Sequence, residues 1–403
     1  MNQWRQNMLT LCGSFFLINL THTIVMPFLP LLMKTDFGIS DPAVITLWTG
    51  FIFAASYITM ILFGPLWGAL GDRFGNKSML IKSGLWITVI MAFMAFAKTP
   101  WHLFLLRLAN GALSGFVPAG NAMAAANTPK EKVGSALGTI MAGSMAGNVL
   151  GPVVGGFLIS FLSFRAAFLF AAALRLLATL LVWFLVQEKE KKSVAVPSKA
   201  GSFAGVKTAF ATKPLPTIFV LAAITQFALM GTNAFLSIYV EKFAQSADQI
   251  AYYITLATAV TGIASVLASP LSGRLTDKLG PGRMIGFCLC LAGCALLLQS
   301  LAQNFGQLLL LRLCFGFAVG GVSPSFNSFI SFYAPEGMKA RFFAYNNSFF
   351  QAGMMLGPIL GGFFSNAFGM ENFFFFCGVL LLCGFVWVEK SIVKKRKKAV
   401  FGA

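Results

Sequence analysis

The chain has 403 residues, of which 57% are hydrophobic, 44 are Phe and only 10% are charged. A soluble globular protein carries about 25% charged residues, so this composition excludes a surface that mostly faces water. The net charge of +18 would suit a nucleic-acid partner, but the basic residues are distributed along the chain as a membrane topology distributes them, and no nucleic acid is expected.

Apolar runs reach the roughly 20 residues that a helix needs to cross a bilayer. They predict twelve spans, at 8–34, 43–71, 79–98, 101–126, 133–162, 164–187, 214–242, 249–276, 284–303, 306–333, 340–367 and 370–389. The fold class expected is therefore an all-α integral membrane protein. No alternating segments of the kind an outer-membrane barrel needs are present. The first run is too long for a secretory signal and has no small-residue cleavage site, so it reads as a permanent span.

In chain order, span one carries Asn19, Thr21 and His22 near its middle, then Val25-Met-Pro27-Phe-Leu-Pro30. Span two ends in Gly68-x-Leu70-x-Asp72-Arg73-x-Gly75-x-Lys77. Span four holds Arg107-x3-Gly111 with Asn110 and Asn121, and Glu131 follows it. Span five holds Gly147-x3-Gly151-Pro152-x2-Gly155-Gly156, and span six Arg175. A polar stretch rich in Lys, Ser and Glu runs from Gln187 to Lys213 and reads as a linker, with a short surface helix expected at 206–211. Beyond it lie Gln226 and Asn233 in span seven, Asp277 after span eight, and Arg312 and Asn327 in span ten. Span eleven carries Asn346, Asn347, Gln351 and Gly353-x3-Gly357-Pro358-x2-Gly361-Gly362, and a basic run Lys394–Lys398 closes the chain.

The second half repeats the first. Pro65 returns as Pro270, Asp72 as Asp277, Gly75 as Gly280, Arg107 as Arg312, Gly111 as Gly316 and Gly115 as Gly320, at a constant offset; the glycine motif of span five returns in span eleven one residue later. Parallel repeats of this kind place a substrate site where two halves meet. The domains expected are an N-terminal six-helix bundle at 1–187, a linker at 188–213, a C-terminal six-helix bundle at 214–390 and a tail at 391–403. With both termini inside, 23 of the 30 Lys and Arg fall in cytoplasmic segments and only Lys34, Lys98, Arg165 and Lys242 outside, which is the positive-inside pattern.

The seven cysteines all lie in apolar runs without metal-ligand spacing and read as packing residues. No metal and no cofactor are expected. Ionisable groups inside a membrane are costly and mark function; here, away from the span ends, they are His22, Arg107, Arg175 and Arg312, while acidic residues stand only at helix ends, where Asp72, Glu131 and Glu241 are the fallback candidates for the proton. His22 is the one whose unperturbed pKa falls in the working range, so His22 and Arg107 are the candidates for proton coupling. The substrate cavity is expected to be lined by Asn19, His22, Arg107, Asn110, Asn121, Arg175, Gln226, Asn233, Asn327, Asn346 and Gln351. The span-five and span-eleven glycines with Pro152 and Pro358 make thin, bendable helices, expected to pack against a partner in the opposite half.

The Gly68–Lys77 motif resembles the signature between spans two and three of the major facilitator superfamily, Arg107-x3-Gly111 its fourth-span motif, and Gly147–Gly156 the fifth-span motif associated with its antiporter members. The chain is similar to the superfamily's bacterial twelve-span drug:proton antiporters over nearly its whole length. The resemblance implies two pseudo-symmetric six-helix bundles, a monomer in the bacterial inner membrane, and protons exchanged for a small molecule. It also implies a latch closing the cytoplasmic side, made by Gly68, Asp72, Arg73, Gly75 and Lys77 with Glu131 and the second copy at Asp277. Many relatives bind the proton on an embedded carboxylate, which this chain lacks. Enzyme chemistry is not expected from one His and three Arg, and no phosphate-cradling motif points to ATP. The expected activity is efflux of amphiphilic, drug-like molecules. The alternative is transport of an anionic metabolite or carboxylate siderophore, which the all-basic set of embedded charges would favour.

Overall fold

The computed structural model describes residues 3–129, 132–188, 214–334 and 339–393. Among these there is no strand. The linker at 189–213, its expected surface helix, Glu131 and the tail from 394 lie outside the described residues.

The helices of the first half are α1 (Gln3–Thr23), α2 (Leu29–Thr35), α3 (Pro42–Phe74), α4 (Asn76–Met94), α5 (Pro100–Ala112), α6 (Phe116–Asn127), α7 (Val133–Phe161) and α8 (Phe164–Leu185). Those of the second are α9 (Leu215–Ala234), α10 (Leu236–Glu241), α11 (Ala247–Leu279), α12 (Pro281–Ser300), α13 (Phe305–Tyr333), α14 (Lys339–Phe368) and α15 (Met370–Val388). The chain divides into two compact units, Met1–Ala195 with Ala244–Thr255, and Val196–Phe243 with Leu256–Ala403.

Ten described segments are long and apolar enough to cross a membrane. Two of the twelve predicted spans fall outside that number. Span eleven, α14, has a polar first half with Asn346, Asn347, Ser348 and Gln351. Span four is broken into α5 and α6 at Leu113–Gly115. Two features sustain the break: Pro118 has no N–H to offer Ser114 O, and side chains take up the carbonyls at the end of α5. Trp67 Nε1 donates to Ala112 O at 2.7 Å and Ser83 Oγ to Leu113 O at 2.7 Å. The repeat mates of these donors are Ser272 and Cys288, and α13, with Pro324 inside it, runs unbroken. Span one also breaks, between α1 and α2, where a short 3₁₀ turn Met26–Phe28 carries Pro27.

Within each unit the repeat is visible in detail. Thr99 caps α5 by accepting from His102 N–H, and its mate Asn304 caps α13 by accepting from Gln307 N–H. Gly75 and Gly280, preceding α4 and α12, have φ of 86° and 85°, where only glycine is unstrained. A Cβ at Gly111 would lie 2.1 Å from Ser56 O, and one at its mate Gly316 2.4 Å from Thr261 O. Outward faces are apolar: Phe161 is 72% and Phe184 74% exposed, as surfaces that meet lipid tails are.

Three of the four span-five glycines do not pack as expected. Gly147, Gly151 and Gly155 face α1 of their own unit: an added Cβ would come within 2.2 Å of Phe16 O, 1.9 Å of Thr23 Oγ1 and 1.9 Å of Ile24 O respectively. Gly353 and Gly357 likewise face α9, with Ala223 O and Phe227 O at 2.2 and 2.4 Å. The motif is therefore a seam inside each unit, because the glycine face is where the first helix of that unit lies; Gly156 alone turns away, toward Thr255 Oγ1.

Candidate functional site

In the first unit the structure brings three predicted groups together. His22 is half-buried in the last turn of α1 and lies within reach of the charges of Arg107 on α5 and Arg175 on α8. Arg107 is 3% exposed, and its Nε donates to Ile52 O at 3.4 Å. Tyr57, half-buried on α3, acts electrostatically on Arg107. The backbone on both sides is pinned: Ser56 Oγ donates to Arg107 O at 2.9 Å and Thr59 Oγ1 to Leu108 O at 2.8 Å. Arg175 is buried, lies 5.6 Å from the Phe116 ring centroid, and its Nε has no hydrogen-bond partner. Two cations and an imidazole thus share one region whose described residues supply no carboxylate. Asn19 uses its amide on Phe15 O at 2.8 Å. Asn110 is buried and Asn121 exposed.

In the second unit Gln226 is buried on α9 against the Gly353 seam of α14. Asn327 is exposed, Gln351 half-buried, and Asn346 buried with its Oδ1 unpartnered. Asn233, exposed at the end of α9, accepts from Arg312 Nη1 at 3.2 Å. Arg312 is fully buried; its Nε and Nη2 have no partner, and its guanidinium lies 5.5 and 5.8 Å from the rings of Phe315 and Phe374. Burying an ion costs several kcal/mol, and cation–π contacts return about 0.5–2 kcal/mol. One hydrogen bond and two rings therefore leave Arg312 under-compensated.

The side chains of Asp72, Arg73 and Asp277 in the expected latch lie outside the described residues, as does all of Glu131. What the structure describes there is a contact that sequence reasoning missed. Glu188, just past α8, accepts from Asn76 N–H at 2.8 Å and Lys77 N–H at 3.1 Å at the start of α4. Beside it, Asn7 of α1 and Gln187 exchange two hydrogen bonds, Asn7 Nδ2 to Gln187 O at 2.7 Å and Gln187 N–H to Asn7 Oδ1 at 3.1 Å. Glu188 read as one more linker charge; its offset from any motif gave no signal. The partners of Arg312 (Phe315, Phe374 and the neighbouring Tyr239) were equally unmarked in a chain with so many aromatics. No group of His, Cys, Asp or Glu that could hold a metal occurs among the described residues.

The family model described as Major Facilitator Superfamily matches residues 11–260 and 218–401. The chain belongs to the major facilitator superfamily. It is 30% identical to the multidrug resistance protein MdtG of Citrobacter koseri over 98% of this chain and 97% of that protein. The MdtG of Salmonella schwarzengrund is also 30% identical, over the same shares. Among solved structures it is similar to a bacterial homolog of the human lysosomal transporter Spinster, with a TM-score of 0.79 at 17% identity over 98% of each chain. The human organic anion transporter MFSD10 gives a TM-score of 0.73 at 19% identity over 96% of this chain and 100% of that one. The major facilitator fold and a multi-pass membrane transporter of small molecules follow, and the chain is not an enzyme.

Proposed function

We propose that this superfamily member is a proton-coupled exporter of small amphiphilic molecules, working by alternating access as a monomer in the bacterial inner membrane, with both termini cytoplasmic. The observation that carries the reading is the likeness, over nearly the whole of both chains, to proteins named for multidrug resistance. The His22–Arg107–Arg175 cluster supports coupling. It concentrates positive charge at depth, so protonating His22 adds a third cation to a region holding two, and release of that proton relieves repulsion. In this reading His22 exchanges the proton and Arg107 sets its environment, while Asn19, Asn110, Arg175 and the amides of the second unit bind cargo.

The driving force is the proton gradient, worth about 2.3 kcal/mol per charge per 100 mV of potential. Cells lacking their own efflux pumps, loaded with a cationic dye, test the reading. Expression should lower dye accumulation, and a protonophore should restore it; equal accumulation with and without the protein would sink it. A second reading, transport of a carboxylate-bearing metabolite or siderophore, is favoured by the three buried arginines. Citrate movement that proceeds while dye movement does not would decide for it.

A further inference from the structure

Arg312 differs from its repeat mate in what its guanidinium touches. Arg107 spends its Nε on the Ile52 carbonyl. Arg312 spends only Nη1, on Asn233 Oδ1 at 3.2 Å, and leaves Nε and Nη2 unpartnered at 0% exposure. These two nitrogens are adjacent on one edge of the guanidinium. Their N–H bonds run parallel, and that edge matches the two oxygens of a carboxylate.

The surroundings are selective in the same sense. The Phe315 and Phe374 rings flank the guanidinium at 5.5 and 5.8 Å, and Tyr239 of α10, whose ring stacks on Phe374 at 4.7 Å, acts electrostatically on it. The nearest acidic side chain on the flanking helix, Glu371, lies one turn before Phe374 on α15 and is paired instead with Lys242. The Tyr239 hydroxyl is committed to the Gln299 carbonyl. Ser237 Oγ, on α10 between Asn233 and Tyr239, is a second buried atom without a partner. Access is short, because Asn233, bonded directly to the guanidinium, is itself exposed. Span seven is also interrupted here, between Ala234 and Leu236, and interrupted spans are where transporters of this general architecture open backbone to ligands.

We propose that the Nε–Nη2 edge of Arg312 is a carboxylate-binding site inside the second unit, entered past Asn233 and walled by Phe315, Phe374 and Tyr239. The ligand class is a monocarboxylate with an apolar or aromatic body. The site deepens the anion reading above and rests on it for the purpose of binding; the binding itself is measured without any gradient, so it stands or fails separately from transport.

The experiment uses the full chain in lipid nanodiscs, with benzoate as probe and benzyl alcohol as its neutral counterpart, read by calorimetric titration. Benzoate should bind saturably and benzyl alcohol at least tenfold more weakly. Arg312→Lys, which keeps the charge and removes the fork, should weaken benzoate tenfold or more. Asn233→Asp is isosteric and sets an internal carboxylate against the guanidinium, so it should do the same while folding normally, which covers the case in which Arg312→Lys does not fold. Arg165→Lys, at an exposed arginine beside Phe96, should bind benzoate as the parent does. The proposal is overturned if the parent shows no preference for benzoate over benzyl alcohol. It is equally overturned if Asn233→Asp binds benzoate undiminished, or if Arg107→Lys abolishes binding while Arg312→Lys leaves it intact.

Discussion

Glu188 stands where span six gives way to the linker, and its carboxylate holds two backbone N–H groups at the start of α4. The first N–H groups of a helix have no partner of their own, and the positive end of the helix dipole favours an anion there. Loss of a capping side chain costs about 0.5–2 kcal/mol. Glu188→Ala is therefore expected to lower the melting temperature of the purified protein, and Glu188→Gln to recover part of it; an unchanged melting temperature for both would show the contact to be idle. Gly75, at φ 86° with Glu188 Oε2 3.0 Å from where a Cβ would stand, should tolerate no side chain. Gly75→Ala is expected to cost about 1–3 kcal/mol and to destabilise at least as much as Glu188→Ala, measured in the same melts. At this scale the sequence was only partly legible. Arg107 and Arg312 were visible because charge inside an apolar run is conspicuous. That one has its Nε satisfied and the other does not depends on Ile52 and Asn233, which no spacing connects to them. Of the span-five glycines expected to reach into the other half, only Gly156 comes against a residue of it, Thr255, while Gly147, Gly151 and Gly155 lie on the first helix of their own half. A small-residue stripe tells that something comes close, not what.

At the scale of elements, the break in span four and the glycine seams make separable predictions. Trp67→Phe keeps the ring and removes the donor to Ala112 O. An unsatisfied buried carbonyl costs about 1–3 kcal/mol, and Ala112 is half-buried, so this variant should melt lower by an amount at the small end of that range, whereas Ser272→Ala at the mate position, beside the unbroken α13, should change little. Equal effects would mean that Trp67 does not sustain the break. In the seam of α1 and α7, Gly155→Ala drives a Cβ into the Ile24 carbonyl and should destabilise strongly. Gly138→Ala, with nothing within 4 Å on the same helix, should gain up to about 1 kcal/mol from helix propensity. Thermal stability in detergent of the two variants, side by side, checks this; a harmless Gly155→Ala would refute the seam. Most helices were legible from apolar length alone, since α3, α7, α8 and α11 to α13 need nothing more. The break in span four was not, because it depends on distant side chains, Trp67 and Ser83, finding a free carbonyl.

For the molecule as a whole, the internal repeat was the strongest signal in the sequence, and it returns as geometry: paired caps at Thr99 and Asn304, paired positive-φ glycines before α4 and α12, paired close approaches at Gly111 and Gly316. Those pairs are what a major facilitator protein built by duplication would keep. The halves differ where chemistry is expected. The first holds His22 beside two arginines, and the second an arginine with an open donor edge. In the reading proposed above, His22 in the first half carries the coupling and both halves contribute to cargo recognition. The direct test is proton movement in proteoliposomes containing the purified protein and an internal pH indicator, with a cationic dye added outside. The account predicts dye-dependent proton flux that is lost in His22→Ala while dye binding persists. Dye movement that leaves the internal pH unchanged, or proton flux undiminished in His22→Ala, would contradict it.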